Sequence, residues 1–209
     1  MRSYVHIGLD KCGSSSLQKF FSQNPYITNI NNTRFEYRCF TKNGTLNGNQ
    51  VKKLQNKELC GYISSVGLSS MKSFDKNKFE SFRKKNNDNN VDLIYSCEGW
   101  YRALVNKELF INLCSSLEGS IKRELIFIAF LRSPVEWINS AWWQWGAWQC
   151  KNYFEFEEWL EKSTFNTCWY RYFKNFKSLA NNHKLILKPV NNDVVKDMCK
   201  ILNLNQKKY

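Results

Sequence analysis

The chain has 209 residues, 43% of them hydrophobic and 16% aromatic, which suits one compact domain over 1–209 burying roughly 70% of its unfolded surface. A mean hydropathy of −0.55 and the lack of any long apolar run argue against a membrane span. The net charge of +13 fits either plain solubility in a Lys/Asn-rich chain or attraction for polyanions and anionic small molecules. Its basic residues are dispersed, with tight clusters at 83–85 and 206–209, and no nucleic-acid-binding motif accompanies them.

In chain order, Ser3–Leu9 is rich in β-formers and runs into a glycine-containing turn, so a strand is expected. Ser14–Gln23 has Leu17, Phe20 and Phe21 at helical spacing, with Ser14 as candidate N-cap. Residues 24–57 read as loops with one short strand near the aromatic island at 34–40, and Leu59–Ser64 as another strand. A charged helix is expected over Asp75–Lys85 and a polar surface loop over 84–90. "VDLIYSC" at 91–97 is an apolar strand that delivers Glu98, and 101–117 has helical spacing. "ELIFIAFLR" is the most apolar strand and is expected at the sheet centre. Ser133 and Pro134 then suit the start of a helix. Helices over 154–162 and 167–181, a strand "KLILKP" and a helix Asp193–Leu202 close the chain.

This alternation predicts an α/β fold, a P-loop-like three-layer arrangement with a central parallel sheet flanked by helices. Ligands of such sheets bind beyond the carboxyl ends of the strands. Lys11, Glu98 and Arg132 each follow a predicted strand, so they converge on that edge. "GLDKCGSS" nearly fits the ATP-loop pattern, but Ser14 stands where that pattern has its lysine. The turn still offers backbone N–H groups and a helix start to one phosphate, and Lys11 can reach a leaving oxygen.

"IGLDKCGSSSLQKFFSQNP" resembles the 5′-phosphosulfate loop of sulfotransferases, with Ser14 and Ser15 in place of two threonines. "FLRSPVEWINSAWWQ" resembles the family's 3′-phosphate motif, a strand-end Arg132 followed eight residues later by Ser140, with Trp137 where the family often has arginine. A guanidinium is a fixed fork for phosphate, and a hydroxyl two helical turns on can donate from a second direction. The resemblance implies 3′-phosphoadenosine 5′-phosphosulfate (PAPS) as donor, 3′-phosphoadenosine 5′-phosphate (PAP) as product, and in-line sulfuryl transfer without a metal. It implies nucleotide binding by Lys11, Cys12, Gly13, Ser14, Ser15, Ser16, Arg132 and Ser140, with Lys11 stabilising the leaving phosphate.

Three residues are candidates for the base: His6, His183 and Glu98. His6 is expected in the core and His183 at the opposite sheet edge, so each reads first as a structural histidine. Glu98 ends a buried strand beside the loop, where a carboxylate can act as general base, and its placement resembles that of carbohydrate sulfotransferases. Its other readings are a salt bridge to Lys11 or Arg132, or a helix cap. Among the tryptophans at 142–148, Ala141, Trp145 and Trp148 form a possible core stripe, leaving Trp143 and others to wall an acceptor. With the positive charge, a glycan hydroxyl is the leading acceptor. Trp100, Arg102 and Arg38 are weaker candidates for acceptor contacts. Competing readings are a non-catalytic polyanion binder and a P-loop nucleotide kinase.

The eight cysteines form no CxxC pair, so no zinc site is expected, and they read as reduced, mostly core thiols. Cys12, near a helix start, has the setting of a lowered thiol pKa, with loop filler as its other reading. No secretory signal is recognised at the N-terminus, so a cytoplasmic protein is expected.

Overall fold

The computed structural model describes residues 1–68, 90–118, 122–148, 155–162, 168–180, 183–190 and 193–205. The helix expected over 75–85, most of the loop at 84–90, Cys150 and both basic clusters lie outside the described residues.

Eight strands are described: β1 (Arg2–His6), β2 (Tyr26–Thr28), β3 (Arg34–Tyr37), β4 (Cys39–Thr41), β5 (Gly44–Leu46), β6 (Asp92–Ser96), β7 (Glu124–Leu131) and β8 (Lys184–Pro189). Six of them form one sheet in the order β2-β3-β6-β1-β7-β8, and β4 and β5 make a separate hairpin. Only β2 runs antiparallel to its neighbour in the large sheet. The helices are α1 (Ser14–Gln23), α2 (Gly48–Gln55), α3 (Lys107–Glu118), α4 (Pro134–Ala141), α5 (Phe156–Lys162), α6 (Trp169–Phe173), α7 (Phe176–Ala180) and α8 (Val194–Ile201).

The chain moves from β1 to β3 on one side and from β6 to β7 on the other. Right-handed crossovers therefore set α1 and α3 on opposite faces of the sheet. On one face Leu17 and Phe21 of α1 are wholly buried, and Phe21 stacks on Tyr37 at 5.4 Å. On the other, Phe127 of β7 meets Phe110 of α3 and Phe176 of α7, both at 5.5 Å. Burying each such side chain stabilises the fold by about 2 kcal/mol. β7 is buried over six consecutive residues, as a strand covered on both faces must be.

Several sequence expectations need correction. Residues 24–57 hold four short strands and α2, which Asn47 and Gln50 start with a reciprocal capping box. Residues 59–64 are not a strand. Side chains tether them instead, with Ser22 bonding the backbone N–H and C=O of Ile63, and Tyr37 donating to the same C=O. The helix expected from 101 begins as a 3-10 turn over Trp100–Val105 before α3. Ser133 and Pro134 start α4 as expected, Ser133 accepting from the N–H of Glu136.

Candidate functional site

β1 ends at His6, three residues short of expectation, but the next residues stay pinned between its neighbours. The N–H groups of Ile7 and Leu9 donate to Ile128 and Phe130 beyond β1, and those of Cys97 and Tyr101 donate to His6 and Ile7. The chain then turns through residues of positive φ: Gly8 (109°), Lys11 (62°) and Gly13 (86°). Gly8 is needed for space as well as conformation, since a Cβ there would lie 2.1 Å from the carbonyl oxygen of Glu98. That contact brings the end of β6 against the loop.

α1 starts from Gly13 with no side-chain cap and no acidic residue in its first turn. Ser14 is therefore not the N-cap. Its hydroxyl turns back to the carbonyl of Leu9 at 3.4 Å, leaving the first N–H groups of the helix to an external acceptor. Ser15 and Ser16 are exposed, with the Ser15 hydroxyl 3.3 Å from that of Tyr62.

Lys11 and Arg132 come from the ends of adjacent strands. Burial lowers the Lys11 ammonium below its ordinary range, and the nearby Arg132 charge pushes it the same way, against Asp10. Among the described residues neither cation has a carboxylate within ion-pair distance. Lys11 Nζ sits 5.4 Å from the ring centre of Trp145. Indole N–H groups fasten both loops, Trp137 to the carbonyl of Asp10 and Trp169 to that of Arg132, each at 2.8 Å. Trp137 packs edge-on between Trp145 and Trp169. Trp137, where the resembled family often has arginine, is thus a fastener of the loop.

Asp10 faces the other way. Arg102 Nη2 donates to it at 3.0 Å and the Tyr101 hydroxyl at 3.3 Å. Burial raises the Asp10 carboxyl, as does the Glu98 charge, and the Arg102 guanidinium opposes them. Glu98 is half-buried, and Gln18 Nε2 donates to its Oε2 at 2.7 Å. No described contact pairs Glu98 with Lys11 or Arg132. Ser140 is half-buried on α4, about 10 Å along the axis from Ser133.

Other candidates resolve differently. Trp100 is wholly buried, its indole N–H bonded to the carbonyl of Val66, so it packs the core and cannot contact an acceptor. Arg38 is buried against Glu36, with Nε 2.7 Å from Oε2. His6 is wholly buried. His183 lies at the opposite edge beside Glu118, at 3.2 Å. Cys12 is buried, and burial pushes its thiol up to about 11 even with Arg132 beside it, the opposite of the lowering expected near a helix start. Trp148 is 81% exposed and leaves the expected stripe. The six residues Trp142–Ala147 form a π-helical turn, whose wider spacing breaks the α-helical register. Trp143 is exposed on that turn.

Asp10, Gln18, Tyr101 and Trp169 escaped the sequence reading, and Trp145, read there as core, lies beside Lys11. Gln18 had a signal, since it falls on the buried stripe of α1 beside Leu17 and Phe21, where a polar side chain needs a partner.

This constellation brings together a helix start with no side-chain cap, two cations without a carboxylate in ion-pair distance among the described residues, and a carboxylate on the neighbouring strand. A crystal structure of a sulfotransferase from Alicyclobacillus acidocaldarius is similar, with a TM-score of 0.52 and 14% identity over 98% of this chain and 82% of that one. The chain has a sulfotransferase fold. No protein-family model matches it, and no curated protein matches it in sequence. Among the described residues, no helix is long and apolar enough to cross a membrane, and no group of three or more His, Cys, Asp or Glu gathers to hold a metal ion.

Proposed function

We propose that this protein is a PAPS-dependent sulfotransferase acting on an acceptor hydroxyl, with a glycan hydroxyl as the leading class. The observation that carries the reading is the proximity of Lys11 and Arg132 beside an uncapped helix start, with no carboxylate within ion-pair distance among the described residues. Two like charges brought together and partly desolvated destabilise each other, and an anionic ligand relieves both.

The residues divide the work. Backbone N–H groups from Cys12 to Ser16, with the exposed hydroxyls of Ser15 and Ser16, suit a 5′-phosphate. Arg132 and Ser140 suit a 3′-phosphate. When bound, PAPS supplies an activated sulfuryl group whose departure leaves negative charge on the 5′-phosphate. Lys11 is the cation placed to offset that charge. Glu98 accepts the proton of the attacking hydroxyl. The Arg102 fork is committed to Asp10, so its part is to hold the loop rather than an acceptor. Trp143 offers an exposed ring beyond Ser140 for stacking on a sugar.

Thermal unfolding with three ligands tests this reading. Selective stabilisation by PAP is expected. Greater stabilisation by ATP with magnesium would support a nucleotide kinase instead, and stabilisation by heparin alone a polyanion binder.

A further inference from the structure

We propose that Gln18 is a positioning residue that holds Glu98 in line, an inference that rests on the reading of Glu98 as the base. Gln18 lies in the second turn of α1 and is 1% exposed. Its amide nitrogen has two hydrogens and two acceptors, Glu98 Oε2 at 2.7 Å and Ser96 Oγ at 3.3 Å. Ser96 Oγ lies 2.8 Å from Nδ1 of His6, its register partner on β1. His6 is wholly buried, and Ser96 Oγ stands between its Nδ1 and the amide of Gln18. The hydrogen-bond chain thus runs from α1 through β6 to β1, and its other branch ends on Glu98.

The arrangement is costly to the fold. Gln18 Oε1 and His6 Nε2 are both buried with no hydrogen-bond partner among the described residues. An apolar side chain of the same volume would fill this stripe without leaving an amide oxygen unpaired. A buried polar group that weakens packing, yet directs its one strong hydrogen bond to a carboxylate at the ligand edge, points to function rather than stability. The geometry also couples two parts of the site. α1 carries the anion cradle at Ser14 and the amide at Gln18, about 6 Å apart along one rigid axis. The helix that receives the leaving phosphate therefore also fixes the carboxylate.

A double-mutant cycle tests this, reading release of PAP from PAPS with water as acceptor and PAP affinity by calorimetry. Gln18→Met keeps the volume and removes the donor. It is expected to lower kcat about tenfold and to leave PAP affinity unchanged. In a Glu98→Gln background, itself about 100-fold slower, Gln18→Met should cause no further loss. The same tenfold loss in both backgrounds would make Gln18 a packing residue and overturn the inference. A wild-type rate in Gln18→Met beside an impaired Glu98→Gln would overturn it alone. A wild-type rate in Glu98→Gln, or no release by the wild type above buffer, would remove the base reading and this inference with it. If Gln18→Met loses cooperative unfolding, Ser96→Ala serves in the same cycle. A drop of about threefold confined to the Glu98 background supports the inference, and equal drops in both backgrounds overturn it.

Discussion

The two edges of the central sheet treat charge in opposite ways. At the edge where β7 and β8 begin, charges are matched: Glu124 takes Arg2 at 3.2 Å and Lys184 at 3.0 Å, and Glu118 takes Lys122 at 3.5 Å beside the His183 ring. At the edge where β1 and β7 end, Lys11 and Arg132 stand near each other without a carboxylate in ion-pair reach among the described residues, and Asp10, whose charge acts on Lys11, is bound to Arg102. Matched surface charges trim the edge of a fold. Unmatched, half-buried cations cost stability and persist where a ligand completes them. The contrast locates the site more firmly than the overall charge does.

The largest effect should come from the unmatched edge. Lys11→Ala is expected to lower PAPS turnover by about 100-fold or more while thermal stability holds or rises, because a desolvated cation is removed. Turnover near wild type in a PAPS-saturated assay would end the contrast. The two histidines extend it. His183 has a carboxylate, whereas burial lowers His6 from 6.5 to about 4. The unfolded chain then takes up a proton below pH 6.5 that the folded chain refuses until about pH 4. The His6 contribution to stability is therefore fully present above pH 6.5 and falls by roughly 3 kcal/mol on descent to pH 4, and His6→Gln should show that much less loss in urea unfolding. A smaller effect is expected at the indole fasteners. Trp137→Phe removes the bond to the Asp10 carbonyl and should cost about 1 kcal/mol together with a few-fold loss of PAP affinity. The smallest belongs to the matched edge, where Lys184→Ala should change stability by no more than about 0.5 kcal/mol and leave PAP affinity unchanged.

What could be read from the sequence follows the same division. The placement of Lys11, Glu98 and Arg132 at one edge of the sheet was legible because each comes soon after an apolar run, and the start of α4 because Ser133 and Pro134 are local signals. Residues 24–57 were not, since their strands are three or four residues long and are set by pairing with distant chain, as Phe35 with Asp92. The capping box of Asn47 and Gln50 was a readable signal that went unused. Ser14 looked like a cap because its residue type favours caps, but the positive φ of Gly13 starts the helix one residue sooner. Trp100, Trp145 and Trp148 could not be sorted by helical spacing, because a 3-10 turn and a π turn replace the expected register. The burial of Gln18 was readable from its helical stripe, but its partners required the fold itself, since they lie 78 and 80 residues away.

The central claim is that Lys11 and Arg132 grip the two phosphates of one nucleotide. Calorimetric titration of wild type and Arg132→Ala with PAP and with adenosine 5′-phosphate tests it most directly. Wild type should prefer PAP by about 30-fold, and Arg132→Ala should lose that preference while still binding adenosine 5′-phosphate. An undiminished preference for PAP in Arg132→Ala would contradict the claim.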